Sequence, residues 1–146
     1  MGEVFAHHVE RSAVATAFDS LTGQWGSKGP DSYVLTRLHT HPDWPVDRIL
    51  EEYYAGFGKA GQAVQRYFDY WEQVSESVTD APPEGARSSA QADAEDGGWL
   101  GGHTTAITNG ALILTPQVMA EGRELIEQAT AQAAGDPVAE SRVAFH

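Results

Sequence analysis

The chain has 146 residues, 41% of them hydrophobic and 21% charged, the size and composition of one folded domain that buries about two-thirds of its unfolded surface. A formal charge of -12, from 21 acidic and 9 basic residues, repels phosphate backbones and anionic lipid surfaces, so neither nucleic acid nor membrane is expected as a partner. Cysteine is absent, which excludes disulfides and thiolate chemistry and leaves any metal to His, Asp or Glu.

No run approaches the ~20 apolar residues that span a bilayer. Met1 is followed by Gly-Glu-Val-Phe-Ala-His-His, which has neither the basic start nor the apolar stretch of a signal peptide; the localisation stays open.

Residues 1–22 form an N-terminal segment. Val4, Phe5, Val9, Val14 and Phe18 have spacings that suit a helix loosely, and a residual strand is the other reading. Residues 23–78 are the expected helical core: the stretch from Gly23 to Glu72 holds three of the four tryptophans and all five tyrosines. Aromatic side chains bury the most area per residue, so the core should form where they are densest. Gly23, Gly26 and Gly29 predict a turn around Trp25.

Pro30 suits a first helical position, and Tyr33, Val34, Leu35 and Leu38 give a broad apolar face to a helix running to about His39, stopped at His41-Pro42. Asp43 is the expected cap of the next helix, in which Val46, Ile49, Leu50, Tyr53, Tyr54 and Phe57 recur at three and four residues. Gly56 and Gly58 end it. A third helix, from about Lys59 to Val78, carries Ala60, Ala63, Val64, Tyr67, Phe68, Trp71 and Val74 on one stripe.

Residues 79–114 read as an acidic linker followed by an irregular segment. From Thr79 to Gly98 there are five acids against Arg87 alone, the composition of a solvated loop. Trp99 to Leu114 is Gly- and Thr-rich, a loop ending in a short apolar run. Residues 115–146 read as a helix pair: Thr115-Pro116 is a cap with a first-turn proline, Gly135-Asp136-Pro137 a break, and Val138, Val143 and Phe145 an apolar pattern at the end. The fold class is therefore mainly α, an antiparallel helical bundle with one long acidic loop.

The series FDSLTGQWGSKGPDSYVLTRL, then HPDWPVDRILEEYYAGFGKAGQAVQRYFDYWE, then LTPQVMAEGRELIEQATAQAAGDPVAESRV resembles a bacterial domain family of unknown function. That family lies on the C-terminal side of glycoside-hydrolase-like barrels of the alpha-glucuronidase and hexosaminidase type. The likeness covers about two-thirds of the chain and rests on an ordered series of elements: a Gly-x-Trp turn, a Tyr-Val-Leu helix, a Pro-Asp boundary, an acidic aromatic helix and a Phe-Gly-x-Ala bend. Where the family has an aromatic before Pro-Asp, this chain has His39-Thr40-His41. The 17 residues ahead of Phe18 cannot supply a barrel of about 250 residues, so the chain resembles a detached C-terminal piece. The resemblance implies an accessory domain that shapes a carbohydrate cleft beside a barrel and is inactive alone. It also implies that Trp25, in the turn after the last barrel strand, approaches a sugar.

Weighed from the residues, glycoside hydrolysis needs two carboxyl groups at a set separation, one of them kept protonated. Asp19, Asp31, Asp43, Asp47, Glu51 and Glu52 are the available acids. Asp47 and Glu51 share a helix face, as surface acids commonly do. His39 and His41, with His7, His8 and His103, invite a metal reading, but no spacing fixes a third ligand, and the expected metal and cofactor set is empty. Trp25, Trp44, Tyr53, Tyr54, Tyr67, Phe68, Tyr70 and Trp71 can stack on sugar rings; helical spacing assigns most of them to packing. The expected substrate-binding residues are Trp25, Trp44, His39 and His41, and the expected partners are a carbohydrate and a barrel domain or a second copy of the chain. The alternative is a stand-alone helical interaction domain that self-associates.

Overall fold

The computed structural model describes residues 2–12, 25–80, 83–86 and 109–146. Among them the regular elements are all helical, with no strand, as the three- and four-residue apolar spacings require. In chain order they are α1 (Gly2–Glu10), α2 (Trp25–Thr40), α3 (Val46–Ala55), a 3-10 turn (Gly58–Ala60), α4 (Gly61–Asp80), α5 (Pro116–Ala133) and α6 (Pro137–Val143). Residues 109–113 are helical as well, where the sequence reading has a loop. Most of the expected acidic connection, residues 81–82 and 87–108, lies outside the described residues, as do Gly23 and residues 13–22. Gly2–Glu10 is a helix rather than a residual strand.

The helix boundaries follow local chemistry. Lys28 departs from helical angles (φ -120, ψ 22) and divides α2 into a first turn and a regular helix with Pro30 in its opening turn. The proline ring cannot follow a continuous helix without a kink, but it suits the start of a new one. Trp25 therefore begins a helical turn instead of occupying an irregular one. Thr115 Oγ1 accepts from the Val118 N–H at 3.3 Å, and Asp136 Oδ1 accepts from Val138 and Ala139 at 3.0 and 3.1 Å, so both expected caps before proline form.

Asp43 does not cap α3. Pro45, extended at φ -60 and ψ 140, is the residue before the helix, with no side-chain cap. A cap must sit one position before the first helical residue, and Asp43 sits three before Val46, in a turn closed by Trp44 N–H on the His41 carbonyl at 3.1 Å. The helix also stops at Ala55, short of Phe57, because Gly56 and Phe57 turn back to bond the carbonyls of Tyr53 and Tyr54. The 3-10 turn then delays α4 to Gly61.

The described residues group into two compact units, Met1–Val64 with Ala129–His146, and Gln65–Gln128. In the first, Val34, Leu38 and Ile49 form a buried cluster against which Phe5, Tyr33, Trp44, Val46 and Leu50 pack. Ala60, Ala63 and Val64 are buried at the α4 start, Ala129 and Ala133 at the α5 end, and Ala139 and Val143 on α6. Each large aliphatic side chain so buried contributes about 1.5–3 kcal/mol relative to exposure. In the second unit the Trp71 ring lies where Gly122 has no Cβ, and the Tyr70 hydroxyl donates to the Val118 carbonyl at 2.8 Å. Burial, and then the charge of Glu121, raise the Tyr70 pKa.

Candidate functional site

The first unit contains a cleft of about 630 Å³ lined by Tyr33, Glu52, Tyr53, Gly56, Phe57, Ser141, Arg142, Phe145 and His146. Three segments build it. Tyr33 comes from α2, and Glu52 with Tyr53 from α3; Gly56 and Phe57 form the turn after α3, Ser141 and Arg142 belong to α6, and Phe145 and His146 follow it. Spacing explains the composition: Tyr53 and Phe57 are four apart, as are Arg142 and His146, so each pair falls on one side of a helical turn.

The aromatic wall is continuous. Tyr33 and Tyr53 rings lie 5.3 Å apart, Tyr53 and Phe57 5.3 Å apart edge to face, and Phe57 and His146 5.6 Å apart. Phe145, next to His146 at 5.8 Å, is 62% exposed and so keeps ring surface open to solvent.

The polar contacts fix the wall in place. His146 Nδ1 is 2.8 Å from the Gly26 carbonyl and Nε2 is 3.4 Å from the Tyr53 hydroxyl. A carbonyl oxygen only accepts, so Nδ1 carries the proton and donates to Gly26. In the neutral ring Nε2 is then the acceptor, and Tyr53 O–H donates to it. His146 thereby ties the end of the chain to the first turn of α2. Gly29 makes the arrangement possible, because a Cβ there would run into the Tyr53 hydroxyl and meet the His146 ring. Arg142 Nη1 donates to the Gly56 carbonyl and joins α6 to the turn after α3.

Glu52 is clamped. Arg37 donates to both its oxygens, from Nη2 at 2.6 and 2.8 Å and from Nε at 3.1 Å. The Arg37 guanidinium holds the Glu52 carboxyl below its usual range, while burial, and then the Glu52 charge, raise the Tyr33 phenol.

Burial alone pushes Tyr53 up to about 12 from 10.0. The folded state thus holds the phenol proton more tightly than the unfolded chain. Its contribution to stability is complete below pH 10 and is lost as pH rises towards 12. Tyr33 and Tyr70 are raised too, with Tyr53 the furthest, so an ultraviolet titration of phenolate should show Tyr53 as its last component and Tyr53→Phe should remove it; a last component unchanged by the substitution would overturn the assignment.

Of the residues expected from sequence to bind substrate, His41 and Trp44 come together and His39 faces another neighbour. The Trp25 backbone opens α2, and its side chain lies outside the described residues. Trp44 is half-buried; His41 stacks on it at 3.9 Å and 7°, and the Arg48 and Arg37 guanidinium carbons lie 3.8 and 5.0 Å from its ring centroid. With these partners Trp44 packs the α2–α3 turn and is not an open platform. His39 Nδ1 bonds back to the Leu35 carbonyl at 2.8 Å, and its ring meets Phe5 edge-on at 4.9 Å. His39 and His41 therefore face different neighbours. Among the described residues no group of three His, Asp or Glu side chains is placed to hold a metal, and no helix is long and apolar enough to cross a membrane.

Of the acids weighed in the sequence, Glu52 reaches the cleft. Tyr33, Phe57, Arg142, Phe145 and His146 were not candidates. The signal that could have found them is the pair of four-residue spacings on either side of chain positions that only the fold brings together. The chain matches no protein-family model, no curated protein and no solved structure.

Proposed function

We propose that the chain is a non-catalytic helical accessory domain whose cleft receives a small ring-shaped ligand, a sugar in the setting of a glycoside-hydrolase-like protein. The observation that supports this reading is the cleft wall itself. Phe145 offers an open ring face for the C–H side of a pyranose, and Ser141, Arg142 and Glu52 stand beside it to bond hydroxyls. A flat apolar surface with a few convergent polar groups is the usual make-up of a small-molecule site.

The acid–base chemistry of glycoside hydrolysis is not supplied by the described lining. Its one acidic side chain is Glu52, and Arg37 holds that group ionised. A general acid must instead be kept protonated, and a second carboxyl group must face it across the bond. Binding without turnover is the function these groups can perform.

The test is an amide NMR titration with neutral hexoses and hexuronates, run beside an assay on aryl glycosides and uronides. Shifts confined to the cleft are expected, with a dissociation constant on the order of 1 mM, weakened several-fold by Phe145→Ala, and no turnover. Hydrolysis lost on Glu52→Gln, or no shifts with any sugar, would overturn the reading.

A second reading is a self-associating interaction domain. Val138 and Phe145, seven apart and both exposed on the α6 side, give it an apolar stripe. Concentration-dependent sizing abolished by Val138→Ser with Phe145→Ser would favour this reading over the first.

A further inference from the structure

We propose that the ligand of this cleft is a ring-bearing monocarboxylate, with its carboxylate on Arg142 and its ring against Phe145; the inference rests on the cleft being a ligand site.

Local charge carries the argument. Two opposed charges belong to the Glu52 end of the cleft, and they cancel: Arg37 grips both Glu52 oxygens. At the other end Arg142 has no carboxylate within ion-pair distance among the described residues. Glu140, two residues away, is turned to the Gly135 N–H at 2.8 Å. His146 presents a proton to Gly26 and an acceptor to Tyr53, and Tyr33 and Tyr53 hold their phenol protons at neutral pH. Among the described side chains beside the cleft, the charge left without an opposite partner is therefore that of Arg142, although the chain as a whole carries -12. Salt screens exposed charges beyond about 8–10 Å, so the distant acids count for little against a cation in contact with the ligand.

Geometry favours a carboxylate over other anions or a plain dipole. A guanidinium has five N–H donors in a planar fork that matches the two oxygens of a carboxylate. One Arg142 nitrogen is anchored on the Gly56 carbonyl, which orients the group and leaves its other donors for a ligand. Gly56 lacks the Cβ that would press on that nitrogen. Ser141, adjacent in sequence and also lining the cleft, adds a hydroxyl donor. Phe145 lies three residues beyond Arg142, on the neighbouring position of the helical turn, so charge and ring surface are offered side by side. Anchored in this way, the guanidinium loses less rotamer freedom on binding than a free arginine would.

The test compares three probes of similar size on the full chain by amide NMR: benzoate, benzamide and benzylammonium. Benzoate is expected to shift cleft amides of residues 53–57 and 141–146 and to bind at least about tenfold more tightly than benzamide, with benzylammonium weakest. Arg142→Gln should abolish the preference, whereas Phe145→Ala should weaken benzoate and benzamide together. Arg142→Lys, which keeps the charge without the fork, should retain part of the preference. Thermal melts of each variant separate lost binding from lost folding. Equal binding of benzoate and benzamide, preference for benzylammonium, or a carboxylate preference that survives Arg142→Gln would overturn the inference. Neutral sugars binding in the same cleft would then leave the accessory-domain reading standing, and silence from every probe and every sugar would remove both.

Discussion

Ile49→Ala is expected to lower the unfolding free energy of the first unit by about 2–5 kcal/mol. Ile49 has no exposed surface and sits in the cluster with Val34 and Leu38 that Phe5, Tyr33, Trp44, Val46 and Leu50 surround. The substitution removes three carbons from a place where helices meet from both sides, so the space left cannot simply close. A domain of this size has total stability of about 5–15 kcal/mol, and the loss is therefore a large share of it. Because the described residues form two compact units, one melting temperature could average two events. Hydrogen exchange of the α2 and α3 amides reads the first unit directly. Val138→Ala, at a position 58% exposed, should stay within about 0.5 kcal/mol of the parent. Similar protection factors for the two variants would mean that the cluster is not what holds these helices together.

What the sequence made legible is what local chemistry decides. Pro30, Thr115-Pro116 and Asp136-Pro137 mark helix starts because a missing N–H and a short side-chain acceptor act within four residues; the structure places helix starts at the last two, and Pro30 in the first turn after the Lys28 kink inside α2. The apolar spacing of Val34, Leu38 and Ile49 likewise foretells which sides are buried. Asp43 misled because an acceptor before an apolar run looks like a cap wherever it stands, and only the extended Pro45 reveals that the helix waits until Val46. The cleft was not legible for a different reason. Tyr53 meets His146 across 93 positions and Arg142 meets Gly56 across 86, and periodicity identifies a face without naming its partner. Trp44 and the two histidines stood out by residue type, yet their neighbours use them for packing: His41 covers Trp44, and His39 returns its Nδ1 to its own helix. Residue type selected conspicuous side chains; the fold gathered others, from α2, α3 and the last residues, around the cleft.

Gly61→Ala and Gly110→Ala are expected to act in opposite directions, although both replace a helical glycine with the best helix former. Alanine gains about 0.5–1 kcal/mol in backbone entropy over glycine within a helix. At Gly110 nothing lies within 4 Å of an added Cβ, so that gain should appear as added stability. At Gly61 the new carbon would strike the carbonyl group of Tyr54, at the close of α3. That carbonyl cannot swing aside cheaply, since it accepts from the Phe57 N–H at 3.0 Å and so helps close the turn into the cleft; Tyr54 and Ala60 on either side are themselves buried. Overpacking of this kind costs about 1–3 kcal/mol, which set against the entropy gain leaves a net loss of up to about 2.5 kcal/mol. Hydrogen exchange at the amides of α3 and residues 61–64 for Gly61→Ala, and at residues 109–119 for Gly110→Ala, reads each effect in its own unit. Stabilisation by both substitutions would show that α3 and α4 can separate slightly at no cost. In that case the turn through Gly56 and Phe57 is not the rigid support that orients Arg142.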